Sequence, residues 1–228
     1  MARANGARPA GDSLVARLSG TGLLADDLYL MAHDDRTGRP LLQPRAIGLG
    51  LAGALLADLV LAGHIEAEPD GIAIADRSAP QDALAGWVLG LLLSEPGQHP
   101  ARDWLVVLAR TSAGDVARRL EHAGYLAQAP GRLPWRAARW VPVDADCAFA
   151  PVARVQSALR PSRPATVQGA VLAGLAVACG LGSRLLPYGP PMARRCLEEV
   201  VGRLDPGLRE VIAQTQAAVD SALLSHRV

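Results

Sequence analysis

Residues 46–62, AIGLGLAGALLADLVLA, have the composition of a helix that is surrounded by other helices. Leucine, alanine and glycine dominate, and the one charged residue is Asp58. Pro44 lies just before this stretch and Gly63 just after it, in the places where prolines begin helices and glycines end them. The stretch therefore predicts a helix at the centre of a folded domain, and the charge of Asp58 argues against a membrane span.

A second apolar stretch, residues 165–182, ATVQGAVLAGLAVACGLG, carries no charge and is about as long as a minimal membrane span. Its alanines and glycines, together with Thr166 and Gln168, give a weaker transfer energy into lipid than a run of Leu, Ile and Phe does. This composition favours a buried helix over a membrane-spanning one.

The overall composition favours packed helices over a β-sandwich. The chain has 228 residues, of which 50% are hydrophobic and 4% are aromatic. We therefore expect a sizeable core of Leu, Val, Ala and Ile, and such side chains suit closely packed helices. The predicted fold is mainly α: a single helical domain around a central apolar helix, with two small β-hairpins.

Charge and cysteine content limit the kind of protein. All 23 basic residues are arginine, which indicates a GC-rich, bacterial genome and supplies forked guanidinium groups suited to phosphate. The net charge of +1 argues against a dedicated nucleic-acid-binding domain. The 3 cysteines are odd in number and lack CxxC spacing, so we expect buried thiols in a reducing compartment.

Periodicity along the chain predicts further helices and the two hairpins. The helices are expected at residues 23–33, 80–93, 101–110, 115–123, 149–159, 191–204 and 206–224. Asp70-Gly71 and Pro130-Gly131 each separate two short apolar segments, which is typical of hairpin turns. Residues 1–20 lack an apolar signal segment and are predicted to be a disordered tail, with residues 21–228 forming the domain.

Motifs of catalysis and of cofactor or metal binding are absent from the sequence. It has no nucleotide-binding glycine loop, no nucleophile elbow and no HExxH zinc signature. The acidic pairs Asp26-Asp27 and Asp34-Asp35 are sequence neighbours, whose side chains point about 100° apart on a helix. We interpret such acids as helix caps or solvated charges. We therefore expect no enzyme, no cofactor and no metal site.

Several stretches follow one another in an order that is itself informative. They are residues 23–38 (LLADDLYLMAHDDRTG), residues 50–65 (GLAGALLADLVLAGHI), the short helix and hairpin of residues 115–143, residues 167–178, and LDP at residues 204–206. Together they resemble the Golgi phosphoprotein 3 family. The resemblance implies a mostly helical fold and peripheral membrane binding through a phosphoinositide headgroup, phosphatidylinositol 4-phosphate. Eukaryotic members also bind the cytoplasmic tails of Golgi glycosyltransferases and an unconventional myosin.

The same resemblance implies a headgroup pocket at the start of the central helix. In the family this pocket uses a Trp, an Arg nine residues later and an Arg-x-x-Arg pair. Gln43 stands at the Trp position, Ala52 at the first Arg position, and Arg110 and Ala113 at the pair. Of these four, Arg110 retains the family residue, so the identity of the phosphoinositide stays open.

Nearby arginines are candidates to replace the missing ones. Arg45 lies two residues after Gln43, and Arg39 lies in the preceding turn. Guanidinium groups that converge on phosphate form charge-assisted hydrogen bonds of roughly 1.5–3 kcal/mol each. We therefore predict a headgroup-binding set of Arg110, Arg45, Arg39 and Gln43. Ordinary solvated surface arginine is the alternative interpretation.

The second hairpin offers an independent argument for membrane contact. Leu133, Trp135 and Trp140 stand among arginines that include Arg136. Indole rings sit at the headgroup level of a bilayer and arginine meets lipid phosphate, so this hairpin is predicted to contact the membrane. The resemblance implies that this hairpin either inserts an apolar residue into the membrane or mediates self-association, which would give a homo-oligomer. In the alternative, both Trp side chains pack on the core and the arginines are solvated.

The expected function is that of a peripheral membrane protein. We expect it in the cytoplasm, bound to acidic phospholipid on the inner face of the membrane. Two alternatives stay open. One is a winged-helix DNA-binding regulator, with residues 115–123 as the recognition helix and residues 125–141 as the wing, and the other is a protein–protein adaptor without lipid function. The low net charge argues against nucleic acid as a partner.

Overall fold

Helices build most of the computed structural model, which describes residues 21–95, 97–129, 139–160, 164–185 and 190–225. The helices are α1 (Leu24–Ala32), α2 (Pro44–Leu61), α3 (Ala83–Ser94), α4 (Ala101–Leu108), α5 (Ser112–His122), α6 (Ala145–Ala158), α7 (Val167–Ala178), α8 (Gly182–Leu185), α9 (Pro190–Gly202) and α10 (Pro206–Leu224). The strands are β1 (Ile65–Glu68), β2 (Gly71–Ile74), β3 (Leu126–Ala129) and β4 (Arg139–Pro142). The predicted mainly α fold with two hairpins is confirmed. The predicted tail, residues 1–20, lies outside the described residues.

The predicted central helix is α2, which packs against α1, α4, α5, α7 and α10. Residues 46–57 are all buried, and so is Leu59. Within the described ranges, α2 is the one helix long and apolar enough to cross a membrane, and 72% of it is buried inside the protein. The surrounding helices therefore cover the apolar surface that the composition of α2 provides.

Two glycines of α2 let neighbouring helices approach closely. A Cβ atom on Gly50 would lie 2.1 Å from Sγ of Cys179, at the end of α7, and one on Gly53 would lie 2.3 Å from Oγ1 of Thr215 in α10. A methyl group in either place would overlap these atoms, so the glycines set the spacing of α2 to α7 and α10. Cys179 and Cys196 are free and buried, as the cysteine count predicted.

The helix α2 ends at the glycine that the sequence predicted. Gly63 has a φ of +75°, in the left-handed region that glycine adopts without steric cost. The N–H groups of Gly63 and His64 donate to the carbonyls of Val60 and Leu59, which closes the last turn. The chain then enters the antiparallel pair β1–β2, and β3–β4 forms a second antiparallel pair further along.

Polar caps shift two helix starts from their predicted positions. The helix α3 begins at Ala83 rather than at residue 80, because the Asp82 carboxylate accepts the N–H of Ala85 at 2.8 Å. The helix α6 begins at Ala145 rather than at residue 149, where the Asp144 carboxylate caps the first turn. The helix predicted at residues 165–181 is α7, which ends at Ala178, and the short α8 follows it from Gly182.

Buried carboxylates connect α1 to the helices around it. Asp26 and Asp27 are each 1% exposed, so their interpretation as solvated charges is wrong. Arg119 of α5 donates to Asp26, and Arg154 of α6 pairs with Asp27. Because a buried charge is tolerated only with a partner, these pairs are a condition for burying α1.

Asp58, the one charge in the central apolar stretch, also serves α1. Its two carboxylate oxygens accept the N–H groups of Leu24 at 2.9 Å and Ala25 at 3.3 Å. These N–H groups belong to the first turn of α1 and have no partner within the helix. Asp58 therefore caps a helix that is distant in sequence.

Candidate functional site

A cleft opens where the first turn of α2, the helix α4 and the last turn of α10 meet. Its volume is about 400 Å³, and three arginines line it: Arg45, Arg102 and Arg110. We call it the arginine cleft. Apolar side chains that include Leu49 and Val106 line the rest, together with the hydroxyl-bearing residues Ser221 and Ser225 of α10.

Local structure explains why these arginines converge. Arg45 is the second residue of α2, directly after Pro44. Arg102 is the second residue of α4, and Arg110 follows the end of that helix. Residues spaced four apart lie on one face of a helix, so Arg102, Val106 and Arg110 form a row along the cleft. The cleft therefore depends on α2 and α4 packing side by side.

The arginine cleft carries the positive charge of three guanidinium groups. In the described part of the chain, no carboxylate lines it, and the guanidinium groups of Arg45, Arg102 and Arg110 have neither a hydrogen-bond partner nor an ion-pair partner. Arg119 differs, because Asp26 and Asp82 neutralise it. Unpaired guanidinium groups that share one cleft repel each other, and a bound anion would relieve that repulsion.

Helix ends add smaller electrostatic contributions to the cleft. Gln43 is the N-cap residue of α2, but its side chain accepts no hydrogen bond from the first N–H groups of the helix. The helix dipole gives this end of α2 a partial positive charge. The end of α10 contributes the opposite sign. Ser225 offsets part of this negative partial charge, because its N–H at 3.2 Å and its hydroxyl at 2.9 Å both donate to the carbonyl of Ser221.

The structure brings together two of the predicted headgroup residues and separates the others from them. Arg45 and Arg110 line the same cleft. Gln43 is exposed just before α2, and Arg39 is exposed in the preceding turn, and neither is among the residues that line the cleft. Arg102, which the predicted set omitted, completes it, and its spacing of eight residues from Arg110 is the signal that could have identified it.

Two family pocket positions have different environments here. Ala52, which stands at the helix arginine position, is 0% exposed inside α2. Ala113, at the second arginine of the pair, is half-buried in α5 against the core. Arg45 and Arg102, rather than residues at these two positions, therefore add to the positive charge of Arg110 in the cleft.

The second hairpin is held against the protein at its base. Trp140 of β4 is half-buried, and its Nε1 donates to Oε2 of Glu121 in α5 at 3.1 Å. The Arg139 guanidinium donates to the Thr37 carbonyl at 3.5 Å. The other three residues predicted to contact the membrane here lie outside the described residues: Leu133, Trp135 and Arg136. Their role stays a prediction.

Comparison with known proteins gives one family match. Residues 24–215 match the family model described as Golgi phosphoprotein 3 (GPP34). The chain belongs to the Golgi phosphoprotein 3 family. Among curated proteins, no sequence matches this chain.

The extent of the Golgi phosphoprotein 3 match bears on the cleft. It begins at the first residue of α1 and ends inside α10. It therefore includes Arg45, Arg102 and Arg110, whereas Ser221 and Ser225 lie beyond it. The wall of the cleft that α10 supplies is a feature of this chain outside the matched region.

Proposed function

We propose that this protein binds membranes that carry acidic phospholipid, and that the arginine cleft holds the headgroup phosphate. One observation carries the proposal: Arg45, Arg102 and Arg110 line a single cleft, and each lacks a partner among the described residues. Membership of the Golgi phosphoprotein 3 family is consistent with phosphoinositide binding in general. Binding would be peripheral, from the cytoplasmic side, where acidic lipids give the membrane a negative surface potential.

The chemistry of the cleft suits a phosphate group. A guanidinium group presents a planar fork that matches two phosphate oxygens, and such charge-assisted hydrogen bonds are about twice as strong as neutral ones. The cleft volume of about 400 Å³ lies within the range of small-molecule sites. Leu49 and Val106 provide apolar surface beside the charges, which suits the glycerol portion of a lipid.

The burial of Arg119 supports lipid phosphate rather than DNA phosphate as the anion. A winged-helix protein would present the arginines of α5 to DNA. Arg119 is instead 13% exposed and pairs with Asp26 and Asp82, and Arg118 pairs with Asp115. The arginines of the arginine cleft, which lack partners among the described residues, lie on α2, on α4 and just after the end of α4.

The test is cosedimentation with phospholipid vesicles. Vesicles of phosphatidylcholine alone are compared with vesicles that also contain phosphatidylglycerol or phosphatidylinositol 4-phosphate. We expect acidic vesicles to bind the protein and neutral ones not to bind it. Arg110→Ala and Arg45→Ala are expected to weaken binding about tenfold each, because each loses a charge-assisted contact.

The matched control is Arg209→Ala, which removes one exposed arginine from the opposite end of α10. It lowers the net charge by the same amount and should leave vesicle binding almost unchanged. Equal binding to neutral and acidic vesicles would overturn the proposal, and so would equal losses for Arg110→Ala and Arg209→Ala. A lipid-binding result restricted to phosphatidylinositol 4-phosphate would narrow the headgroup class.

A further inference from the structure

We infer that the outward face of α4 enters the bilayer interface beside the arginine cleft, with Val106 and Val107 at the boundary between headgroups and acyl chains. The inference rests on the proposed function, since the cleft would hold a headgroup of the same bilayer. It adds a second attachment, made by apolar side chains on a helix. The partner it commits to is an acidic lipid surface.

The exposed face of α4 combines apolar and cationic side chains. Val106 is 41% exposed and Val107 is 44% exposed, although both belong to a helix that is buried on its other side through Trp104, Leu105 and Leu108. Arg102 precedes the two valines, and Arg110 follows them. Exposed apolar residues that lie between unpaired cations are typical of a surface that meets lipid.

An exposed apolar side chain also occurs on α10, which forms the opposite wall of the cleft. Leu224 of α10 is 66% exposed, and it directly precedes Ser225, which lines the cleft. The helices α10 and α4 are in contact. Exposed apolar side chains therefore occur on both helices that border the arginine cleft.

Charge complementarity identifies a bilayer as the occupant of this face. A bilayer offers phosphate groups and apolar acyl chains in adjacent layers. The long arginine side chain can reach the phosphate layer with its guanidinium group while shorter apolar side chains enter the acyl-chain layer. Because α4 is held by its buried face, it meets the lipid already folded and loses little conformational entropy on binding.

An acidic residue of α4 would oppose binding of this face to acidic lipid. Asp103 is exposed on α4 and lies four residues before Val107. Its carboxylate would be repelled by lipid phosphates, while the guanidinium groups of Arg102 and Arg110 are attracted. The inference therefore predicts that Asp103→Asn tightens binding to phosphatidylglycerol vesicles.

The central test uses Val107→Ser, because Val107 is exposed and is not among the residues that line the cleft. Two probes are compared: vesicles of phosphatidylcholine with phosphatidylglycerol, and dihexanoyl-phosphatidylglycerol below its critical micelle concentration. We expect binding to vesicles to weaken about fivefold, from the loss of apolar transfer. Binding to the monomeric lipid should not change, because the cleft is intact.

The matched control is Val167→Ser at the start of α7, where Val167 is 53% exposed. The next residue, Gln168, donates to the carbonyl of Gly22 beside the start of α1, and Asp58 caps that start. Val167 therefore lies near the Asp58 end of α2, about 20 Å along the helix axis from Arg45. Val167→Ser should leave binding to both probes unchanged.

The depth to which each position enters the bilayer is measured with a tryptophan placed at Val107 or at Val167. Fluorescence of Val107→Trp, relative to wild type, should be quenched by phosphatidylglycerol vesicles with brominated acyl chains, and that of Val167→Trp should not. Wild-type vesicle affinity for Val107→Ser together with an unquenched Val107→Trp would overturn the inference while headgroup binding stands. A protein occupant of this face would give the same unquenched result. Failure of wild type to bind the soluble dihexanoyl form of either phosphatidylglycerol or phosphatidylinositol 4-phosphate would instead overturn the proposed function, and the inference with it.

Discussion

Arg119 donates from Nε and Nη2 to a single oxygen of Asp26, Oδ1, over 2.8 Å and 2.6 Å. Its third nitrogen, Nη1, donates to Oδ2 of Asp82 at 2.7 Å. Asp82 in turn caps α3 by accepting the N–H of Ala85. One guanidinium group in α5 therefore fixes α1 and the start of α3 at once.

Removing this guanidinium is expected to be costly. Arg119→Met should lower the free energy of unfolding by about 3–5 kcal/mol, because it leaves the carboxylate of Asp26 buried without its partner. Arg118→Met is the matched control, since Arg118 is adjacent, 59% exposed and paired with Asp115. An exposed pair contributes less than about 1 kcal/mol. Urea denaturation measures both, and equal losses would contradict a structural role for Arg119.

The pH dependence of stability should come in part from Asp58. Burial raises the pKa of the Asp58 carboxyl from 3.8 to about 7, against the lowering effect of the N–H groups of Leu24 and Ala25. Among nearby charges, Arg119 lowers this pKa and Asp26 raises it. Between pH 3.8 and about 7 the folded protein therefore holds a proton on Asp58 that the unfolded chain releases. The contribution of Asp58 to stability is present below pH 3.8 and is lost as the pH rises through about 7.

Asp58→Asn isolates this contribution because it cannot titrate. From about pH 5 to about pH 8, the unfolding free energy of wild type should fall by on the order of 2 kcal/mol more than that of the variant. Asp70→Asn, at an exposed turn, serves as a control for removing one carboxylate. Parallel pH profiles for wild type and Asp58→Asn, measured by urea denaturation, would show that the proton on Asp58 has no effect on stability.

Two glycines in helices should respond to alanine in opposite directions. At Gly53 a Cβ would lie 2.3 Å from Oγ1 of Thr215, so Gly53→Ala should destabilise the protein by roughly 1–3 kcal/mol through overpacking. At Gly90 in α3 nothing lies within 4 Å of the added Cβ, so Gly90→Ala should stabilise it by about 0.5–1 kcal/mol. Thermal and urea unfolding measure both changes. Stabilisation by both variants would show that the α2–α10 spacing is not tight.

Added salt should weaken the contribution of the arginines to membrane binding and leave the contribution of the valines unchanged. Screening shortens the range of exposed charges from about 10 Å at 0.1 M salt to about 3 Å at 1 M. The affinity of wild type for phosphatidylglycerol vesicles should therefore fall with added sodium chloride. Arg110→Ala should show a shallower slope, while Val107→Ser should keep the wild-type slope at lower affinity. Identical slopes for Arg110→Ala and wild type would remove Arg110 from the binding surface.

Helices and hairpins were predictable because their signals are local. The glycine after the central helix and the prolines at helix starts act within a few residues, and Gly63 and Pro206 lie where these rules place them. The first hairpin also forms where it was predicted, but its two turn residues are Pro69 and Asp70, because Gly71 pairs with Glu68 as the first residue of β2. Caps such as Asp82 shifted helix ends by a few residues, since several polar residues near a helix start can compete for the same N–H groups.

The candidate site was predicted only in part. Arg110 was predicted from the family resemblance, and Arg45 was predicted because it lies close in sequence to the family position of Gln43. The structure places both arginines in one cleft. Arg39 was chosen on the same grounds and lies elsewhere, in the turn that contacts the second hairpin. Nearness in sequence does not determine on which side of a helix pair a flexible side chain lies.

By itself, the sequence of this protein determined its helical class, its central helix and its supply of arginine, because periodicity, turn residues and composition act locally. The tertiary structure decided which arginines are available. It buries Arg119 against Asp26 and leaves Arg45, Arg102 and Arg110 without partners among the residues that the structure describes. The physical reason is that a charge is neutralised by what lies within a few ångströms of it, and those neighbours come from helices that are distant in sequence.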